Sequence, residues 1–407
     1  MTLVTVMTEK SYDLIVVGAG ISGLSIAHYG AGNGWRVLVL EQEERAGGSL
    51  HSHRLQGTAF WLELGAHSCF NSYGNLLKIM EECKLLSQIR GKARVRFQVF
   101  ADGRFQSVFS QLHWLELLVS LPRLLITKKA GKSAADYYGK VLGRKNYTSL
   151  FAPAFDAVIC QPAGEFPADM LFGKRARRQD VIRSFTFPNG LQTLADTLTV
   201  RRGVEVKMSQ AVQTVAFDPT GCTLTTAVGE QYQARYLCLA TPVSVASALL
   251  KKPLPDLARR LGRIQMVTVE TVGVVLRRDA VSLPPLAGII ARDDSFFSVV
   301  SRDTVPDVAY RGFTFHFKPG MLGTEGKLRR ISEVLRVRVG QFQDVASKTN
   351  RLPALRIGHA DLIREVDSQL AGKLLALTGN YFSGVSLEDC VARSWKEFLR
   401  VTRGDPP

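Results

Sequence analysis

Two stretches decide the fold: Leu14-Ile15-Val16-Val17-Gly18-Ala19-Gly20-Ile21-Ser22-Gly23-Leu24, and Val37-Leu38-Val39-Leu40-Glu41. Each four-residue apolar run is too short for a helix and suits a buried parallel strand. Leu24, Ile26 and Ala27 between them fit a helix, so the region predicts a βαβ unit of about thirty residues. In that setting each glycine has a task. Gly18 turns the chain tightly out of the strand, Gly20 lets backbone approach a pyrophosphate, and Gly23 lets helix and sheet pack closely. Ala19, Ile21 and Ser22 lie in the same turn, where a helix N-terminus offers N–H donors and partial positive charge. Glu41 ends the second run, where a carboxylate accepts hydrogen bonds from an adenosine ribose and disfavours a 2′-phosphate.

The next residues, Glu41-Gln42-Glu43-Glu44-Arg45-Ala46-Gly47-Gly48, resemble the E-x-x-x-R-x-G-G extension of flavoproteins of the glutathione-reductase type. The resemblance implies FAD as cofactor, with Gln42 at the ribose end, Gly47 and Gly48 letting backbone pass close, and Arg45 facing the phosphates.

The rest of the chain bounds the answer. At 407 residues, 46% hydrophobic and 22% charged, it has the balance of a folded globular protein with room for two or three domains. Disorder, collagen and a coiled-coil rod are excluded. Six cysteines without a C-x-x-C pair fit reduced thiols in a cytosolic compartment. Met1 to Lys10 lack the pattern of a signal peptide, and no run of 18 apolar residues occurs. Seven histidines show no zinc spacing, so no metal site is expected. The net charge of +16 is concentrated: residues 90–185 hold 17 Lys/Arg against 7 Asp/Glu. The same region carries Leu112 to Ile126, apolar, bearing Trp114, broken by Pro122 and followed by Lys128-Lys129. That pattern fits either an interfacial element on an anionic membrane or a core helix hairpin with a solvated basic end. Nucleic acid is not expected as a partner.

Further motifs run along nearly the full length. They are Trp61-Leu62-Glu63-Leu64-Gly65-Ala66-His67-Ser68, the helix-like stretch Asn75 to Leu86 with Cys83-Lys84-Leu85, Phe187-Pro188-Asn189-Gly190-Leu191, and Leu377-Thr378-Gly379-Asn380-Tyr381-Phe382-Ser383-Gly384-Val385-Ser386-Leu387-Glu388-Asp389-Cys390-Val391. Together they resemble the FAD-dependent amine oxidase superfamily, and within it the protoporphyrinogen oxidases. Ala66 stands where a proline is usual, Lys84 between the paired residues of a leucine-glycine-leucine pattern, and Asn189 in place of a glycine. The resemblance implies that Gly65, Ala66 and His67 lie near the flavin and that the backbone of Val212 holds the adenine. It also implies that Gly379, Asn380, Val385, Ser386 and Leu387 form a strand-turn-helix at the flavin ring. Amine oxidases place a lysine on a substrate-domain strand, and Thr268 to Leu276 has none.

The expected architecture is α/β. A discontinuous Rossmann-type, glutathione-reductase-like FAD domain is built from residues 11–90, 188–245 and 357–407. An α+β substrate domain comes from 91–110 and 246–356, and a helical part with membrane-associating character from 111–187. The implied activity is oxidation of a porphyrinogen by hydride transfer to flavin N5, with another superfamily oxidase or desaturase acting on an amine, carotenoid or polyprenoid as the alternative. The substrate is thus small and hydrophobic, oxygen or a quinone is the electron acceptor, and a cytoplasmic protein, peripheral on the inner face of a membrane, is expected. Arg94-Val95-Arg96 resembles the family's arginine-bearing strand, with Arg96, or Arg94 on the same face, binding a propionate.

Overall fold

The structure is a computed structural model that describes residues 11–402. The signal-peptide reading of Met1 to Lys10 lies outside the described residues, as do positions 403–407. In chain order come β1 (Ser11–Val17), α1 (Ile21–Gly32), β2 (Val37–Leu40), α2 (Gly74–Glu82), β3 (Phe97–Ala101) and β4 (Arg104–Ser107). The helices α3 (Trp114–Ser120), α4 (Arg123–Ile126), α5 (Ala134–Leu142) and α6 (Ala152–Ile159) follow. Then come β5 (Val204–Lys207), β6 (Val212–Phe217), β7 (Cys222–Thr226), β8 (Gln231–Leu239), β9 (Met266–Arg277), β10 (Gly288–Ala291), β11 (Phe296–Ser301), β12 (Tyr310–Phe317), β13 (Phe342–Pro353), β14 (Leu375–Leu377) and α7 (Leu387–Thr402).

The first sheet pairs β5, β2, β1 and β8 in parallel, with Leu14 opposite Val37 and Val17 opposite Leu40. β8 is shared along its length: Gln231–Ala234 pair antiparallel with β7, while Leu237–Leu239 pair parallel with β14. The apolar runs are continuous because both faces of this sheet are covered. Leu14, Val16, Val37 and Val39 pack with α1 and α7, whereas Ile15, Val17, Leu38 and Leu40 enter a second core on the opposite face. Full burial of each such side chain stabilises by roughly 1.5–3 kcal/mol.

The second sheet has the order β13-β9-β12-β11-β10-β3-β4, antiparallel except where β10 meets β3. Its register sets Thr271 directly opposite both His316 and Lys348. Residues 111–187 are helical over α3 to α6, around a small core of Tyr147, Phe155, Ile159 and Phe166, but Ser184–Thr186 form a strand that pairs with Cys69–Phe70 and Arg90–Gly91. Among the described residues no helix is long and apolar enough to cross a membrane. The six cysteines form no disulfide.

Candidate active site

The residues singled out in the sequence gather at one end of the first sheet, beyond the C-terminal ends of β1, β2, β8 and β14, where ligands of open α/β sheets bind. Gly18 follows β1 and takes a φ of +102°, and a Cβ there would lie 2.9 Å from the Ala240 carbonyl oxygen at the end of β8. Gly23 lies so near the turn that a Cβ would stand 1.9 Å from the Gly18 carbonyl oxygen. Gly20 differs: a Cβ would meet nothing within 4 Å, so the space beside it is open. Gly20 caps α1, Ile21 and Ser22 begin it, and no acidic residue occupies its first turn. The N–H groups at that end therefore have no side-chain acceptor of their own and suit an anion.

The Glu41 carboxylate, buried at the end of β2, accepts hydrogen bonds from Ala19 N (2.6 Å) and Glu43 N (3.0 Å). It thus fixes the turn whose other side is the cradle, while Gln42 is exposed and bonds Glu43. The double glycine crosses the same turn: Gly47 N donates to Ala19 O (2.8 Å), and Gly48, at a φ of +56°, would bring a Cβ within 3.4 Å of Gly20 Cα. Arg45 is differently employed from the expectation. Its guanidinium donates to the carbonyls of Ala46, Leu50 and Gly48 and to Gln192 Oε1, so it ties the loop together rather than pointing donors at phosphates. A half-buried cation needs these acceptors to offset its lost hydration.

Gly65 packs against Ser49 so tightly that a Cβ would lie 2.2 Å from the Ser49 carbonyl oxygen, and Ala66 N donates to that oxygen (2.8 Å). Val212 opens β6 opposite Thr226. After β14, Thr378 N donates to Leu239 O (3.2 Å), which places Gly379 and Asn380 beside the end of β8. Ser386 and Asp389 cap α7 reciprocally: Ser386 N and Oγ donate to Asp389 Oδ2, and Asp389 N donates to Ser386 Oγ. Val385 packs against the small helical core and Leu387 against the core under α1. This uncrowded glycine cradle, with a buried carboxylate at its edge, fits an adenine dinucleotide.

The two expected substrate arginines lie just before the strand on which the resemblance put them. Arg94 and Arg96 are exposed and precede the strand, which begins only at Phe97. Sequence reasoning missed a cluster where Trp61–Glu63 pack against β12 of the second sheet. A cavity of about 20 Å³, room for a water, is lined by Glu63, His67, Lys92, Arg302 and Thr314 among others. Arg302 lies over the Trp61 ring (4.1 Å) and donates from Nε to Trp61 O, while its buried Nη1 has no partner among the described residues. Lys92 Nζ donates to His67 O and Ser68 Oγ, and burial lowers its pKa to about 8. Glu63 accepts from Ser52 Oγ and Leu191 N, yet burial raises its carboxyl to about 7. Lys348, on β13, donates to Gly48 O (2.6 Å), with its pKa lowered by burial to about 8. β9 carries no lysine, so its neighbour brings one to the double-glycine loop. Glu63 and His67 of this cluster stood in the motif Trp61 to Ser68, whereas Lys92, Arg302 and Lys348 belong to no motif.

The fold and this cradle define a flavoprotein oxidoreductase. The flavin containing amine oxidoreductase family matches residues 21–309, and the chain belongs to that family. FAD is its cofactor. A flavin-containing amine oxidase of Danio rerio is 25% identical over 81% of this chain and 70% of the relative. A chloroplastic protoporphyrinogen oxidase of Nicotiana tabacum is 22% identical over 96% of this chain and 85% of its own length. In fold, the chain superposes on a crystal structure from Exiguobacterium sp. 255-15, provisionally assigned as a protoporphyrinogen oxidase. The TM-score is 0.78 at 18% identity, covering 97% of this chain and 99% of the other.

Proposed function

We propose that the chain oxidises a porphyrinogen, converting protoporphyrinogen IX to protoporphyrin IX. The single observation that supports this is the segment Gly379 to Val391. It resembles the G-N-x-x-x-G-V-x-L-x-D-C pattern of protoporphyrinogen oxidases, and Gly379 and Gly384 take φ values of +154° and +151°, open only to glycine at low cost. In this reading residues 11–90, 188–245 and 357–407 form the Rossmann-type FAD domain. Gly18 to Gly23 and Gly47-Gly48 cradle the pyrophosphate, Glu41 takes the ribose, and the α7 N-terminus, with Val385 to Leu387, faces the ring. Bound FAD supplies the two-electron acceptor for a hydride from carbon. The chain's own residues bind the macrocycle, hold it in place and exclude water. Arg96, with Arg94, anchors a propionate, because a guanidinium matches a carboxylate bidentately. Oxygen or a membrane quinone then takes the electrons onward.

A hydrophobic substrate suits a membrane-docking surface. Leu115, Val119, Leu125 and Ile126 on α3 and α4 are 71% to 90% exposed, and Arg123, Lys128 and Lys132 stand in the same stretch. Apolar side chains flanked by cations suit an anionic lipid surface. Lys348 at Gly48 favours a second reading, oxidation of an amine, since a lysine is present beside the loop after all.

Anaerobic titration of the purified flavoprotein tests the choice. Bleaching of the flavin by protoporphyrinogen, then porphyrin fluorescence when oxygen is readmitted, is the expected result, and Arg96→Ala should raise KM about tenfold, the worth of one charged hydrogen bond. Bleaching by an amine and not by the porphyrinogen would overturn the assignment in favour of the second reading.

A further inference from the structure

Beside the cluster around Glu63 and Lys92, four side chains from four segments form a chain of hydrogen bonds whose direction can be worked out. Asn350 Nδ2 donates to Leu64 O (3.0 Å), an atom that only accepts, so the amide is oriented with its NH₂ inward. Its second hydrogen goes to Thr271 Oγ1 (2.9 Å). The Thr271 hydroxyl has one hydrogen of its own to place, and among the described residues the acceptor it reaches is His316 Nδ1 (3.2 Å). With Nδ1 accepting, neutral His316 carries its proton on Nε2, which lies 3.0 Å from His67 Nε2. His67 must therefore accept at Nε2 and carry its proton on Nδ1. Thr271 and His316 are buried, whereas His67 is only partly so, and its Nδ1 has no partner among the described residues.

Three further observations bear on this relay. Burial holds both imidazoles in the neutral form, His316 at about 4 and His67 well below the ordinary value, aided by the charge of Lys92. Lys92 clamps the His67 carbonyl, and Glu63, four residues earlier, sits in the same cavity wall, so charged groups on two sides fix the segment without reaching Nδ1. Ala66, next in chain, is bonded to Ser49 beside the double glycine, so the free donor stands on the segment that follows the cofactor loop.

We infer that His67 is a fixed Nδ1–H donor to an acceptor atom of the flavin ring, with His316, Thr271 and Asn350 as the positioning residues that impose its tautomer. A neutral donor with a fixed hydrogen cannot take a proton from substrate, so it acts by favouring negative charge on the reduced ring. The inference rests on the family's cofactor and not on the choice of substrate.

Two measurements on the substrate-free holoenzyme test it. In ¹⁵N-histidine-labelled protein, His67 should show a protonated Nδ1 and His316 a protonated Nε2, unchanged from pH 5 to 8. Thr271→Val should lose this pattern and Thr271→Ser should keep it, a distinction that a merely space-filling role would not make. In the second measurement, His67→Phe should lower the flavin midpoint potential by about 30 mV, a tenfold loss of preference for the reduced ring in a two-electron couple. Thr271→Val should move it the same way, with rescue by Thr271→Ser. A proton on Nε2 of His67, titration of either imidazole between pH 5 and 8, or a potential unmoved in both variants would overturn the inference. The wild-type spectrum decides the tautomer even where a variant fails to fold.

Discussion

Gly20 and Gly23 share one turn, and the geometry separates what each does. At Gly23 an alanine would place its methyl 1.9 Å from the Gly18 carbonyl oxygen, a backbone atom that cannot swing away. Such overpacking costs about 3 kcal/mol or more, because α1 must lift from β1. At Gly20 the methyl meets nothing within 4 Å, and the φ of −74° and ψ of 174° suit alanine. The chain-entropy gain of roughly 0.4–1 kcal/mol is offset by a similar loss of N-cap preference, so stability should stay within about 1 kcal/mol of the wild type. The same methyl, however, occupies the approach to the α1 N-terminus. Loss of two charge-assisted backbone hydrogen bonds, about 1.5–3 kcal/mol each, would weaken FAD binding at least roughly 100-fold. Thermal melts of the apoprotein and flavin retention on dialysis read the two effects separately. Gly23→Ala should unfold at clearly lower temperature, while Gly20→Ala should melt like the wild type and emerge colourless. A yellow Gly20→Ala protein with unchanged FAD affinity would refute the placement of the pyrophosphate over this turn.

Three other variants have definite expected outcomes. Burial raises the Glu63 carboxyl from an ordinary 4.5 to about 7, so the stability it contributes is full below pH 4.5 and lost as pH rises through 7. The loss is about 3 kcal/mol, and Glu63→Gln should flatten that part of the stability–pH curve in denaturant titrations. Lys84 holds a φ of +57°, a left-handed backbone that glycine adopts without steric cost, so Lys84→Gly should stabilise by about 1 kcal/mol in the same assay. Leu125→Asp with Ile126→Asp should leave stability and flavin content unchanged but abolish cosedimentation with phosphatidylglycerol vesicles, and retained binding would refute the docking surface.

The parts of this molecule legible in the sequence are those whose cause is local. The strand-glycine-helix turn at Gly18 to Gly23 could be read because three glycines at fixed spacing are demanded by one piece of backbone. Arg45 could not: its motif position suggested phosphates, but which acceptors it meets depends on Gln192, 147 positions later. The pair Arg94 and Arg96 looked like one strand face, yet the main chain becomes regular only at Phe97, where β10 supplies a partner. The run Leu112 to Ile126 left a core hairpin and an interfacial element equally open, since apolar spacing cannot say whether a neighbour covers it. Leu125 is 90% exposed, so among the described residues nothing covers that end of the run. His67 and His316 lie 249 positions apart and could be joined only by the sheet register.

What draws these distant segments into one site is a set of buried glutamates, each spent on main-chain N–H groups of another segment. Glu41 holds the Ala19 turn, Glu63 the start of the helix after Gly190, and Glu388 the first turn of α2 through Asn75 N and Leu76 N. Glu397 reaches back to Leu377 N in β14, paired with Arg393 and Arg400. A buried carboxylate is costly unless donors surround it, and here the donors are backbone groups that a loop junction would otherwise leave unpaired. Each glutamate therefore replaces two unpaired groups with a hydrogen bond, about 0.5–1.5 kcal/mol where the carboxyl is neutral and about 1.5–3 kcal/mol where it is charged. The arrangement links cofactor site and fold: the Glu41 and Glu388 bonds span the first sheet's two ends of chain, so cutting either loosens the cradle before it loosens the second sheet. Glu388→Gln should accordingly release FAD at a lower temperature than that at which the protein unfolds, seen as flavin fluorescence rising ahead of the loss of circular dichroism. Coincident transitions would show that the glutamate stabilises the whole molecule evenly and does not tie the site in particular.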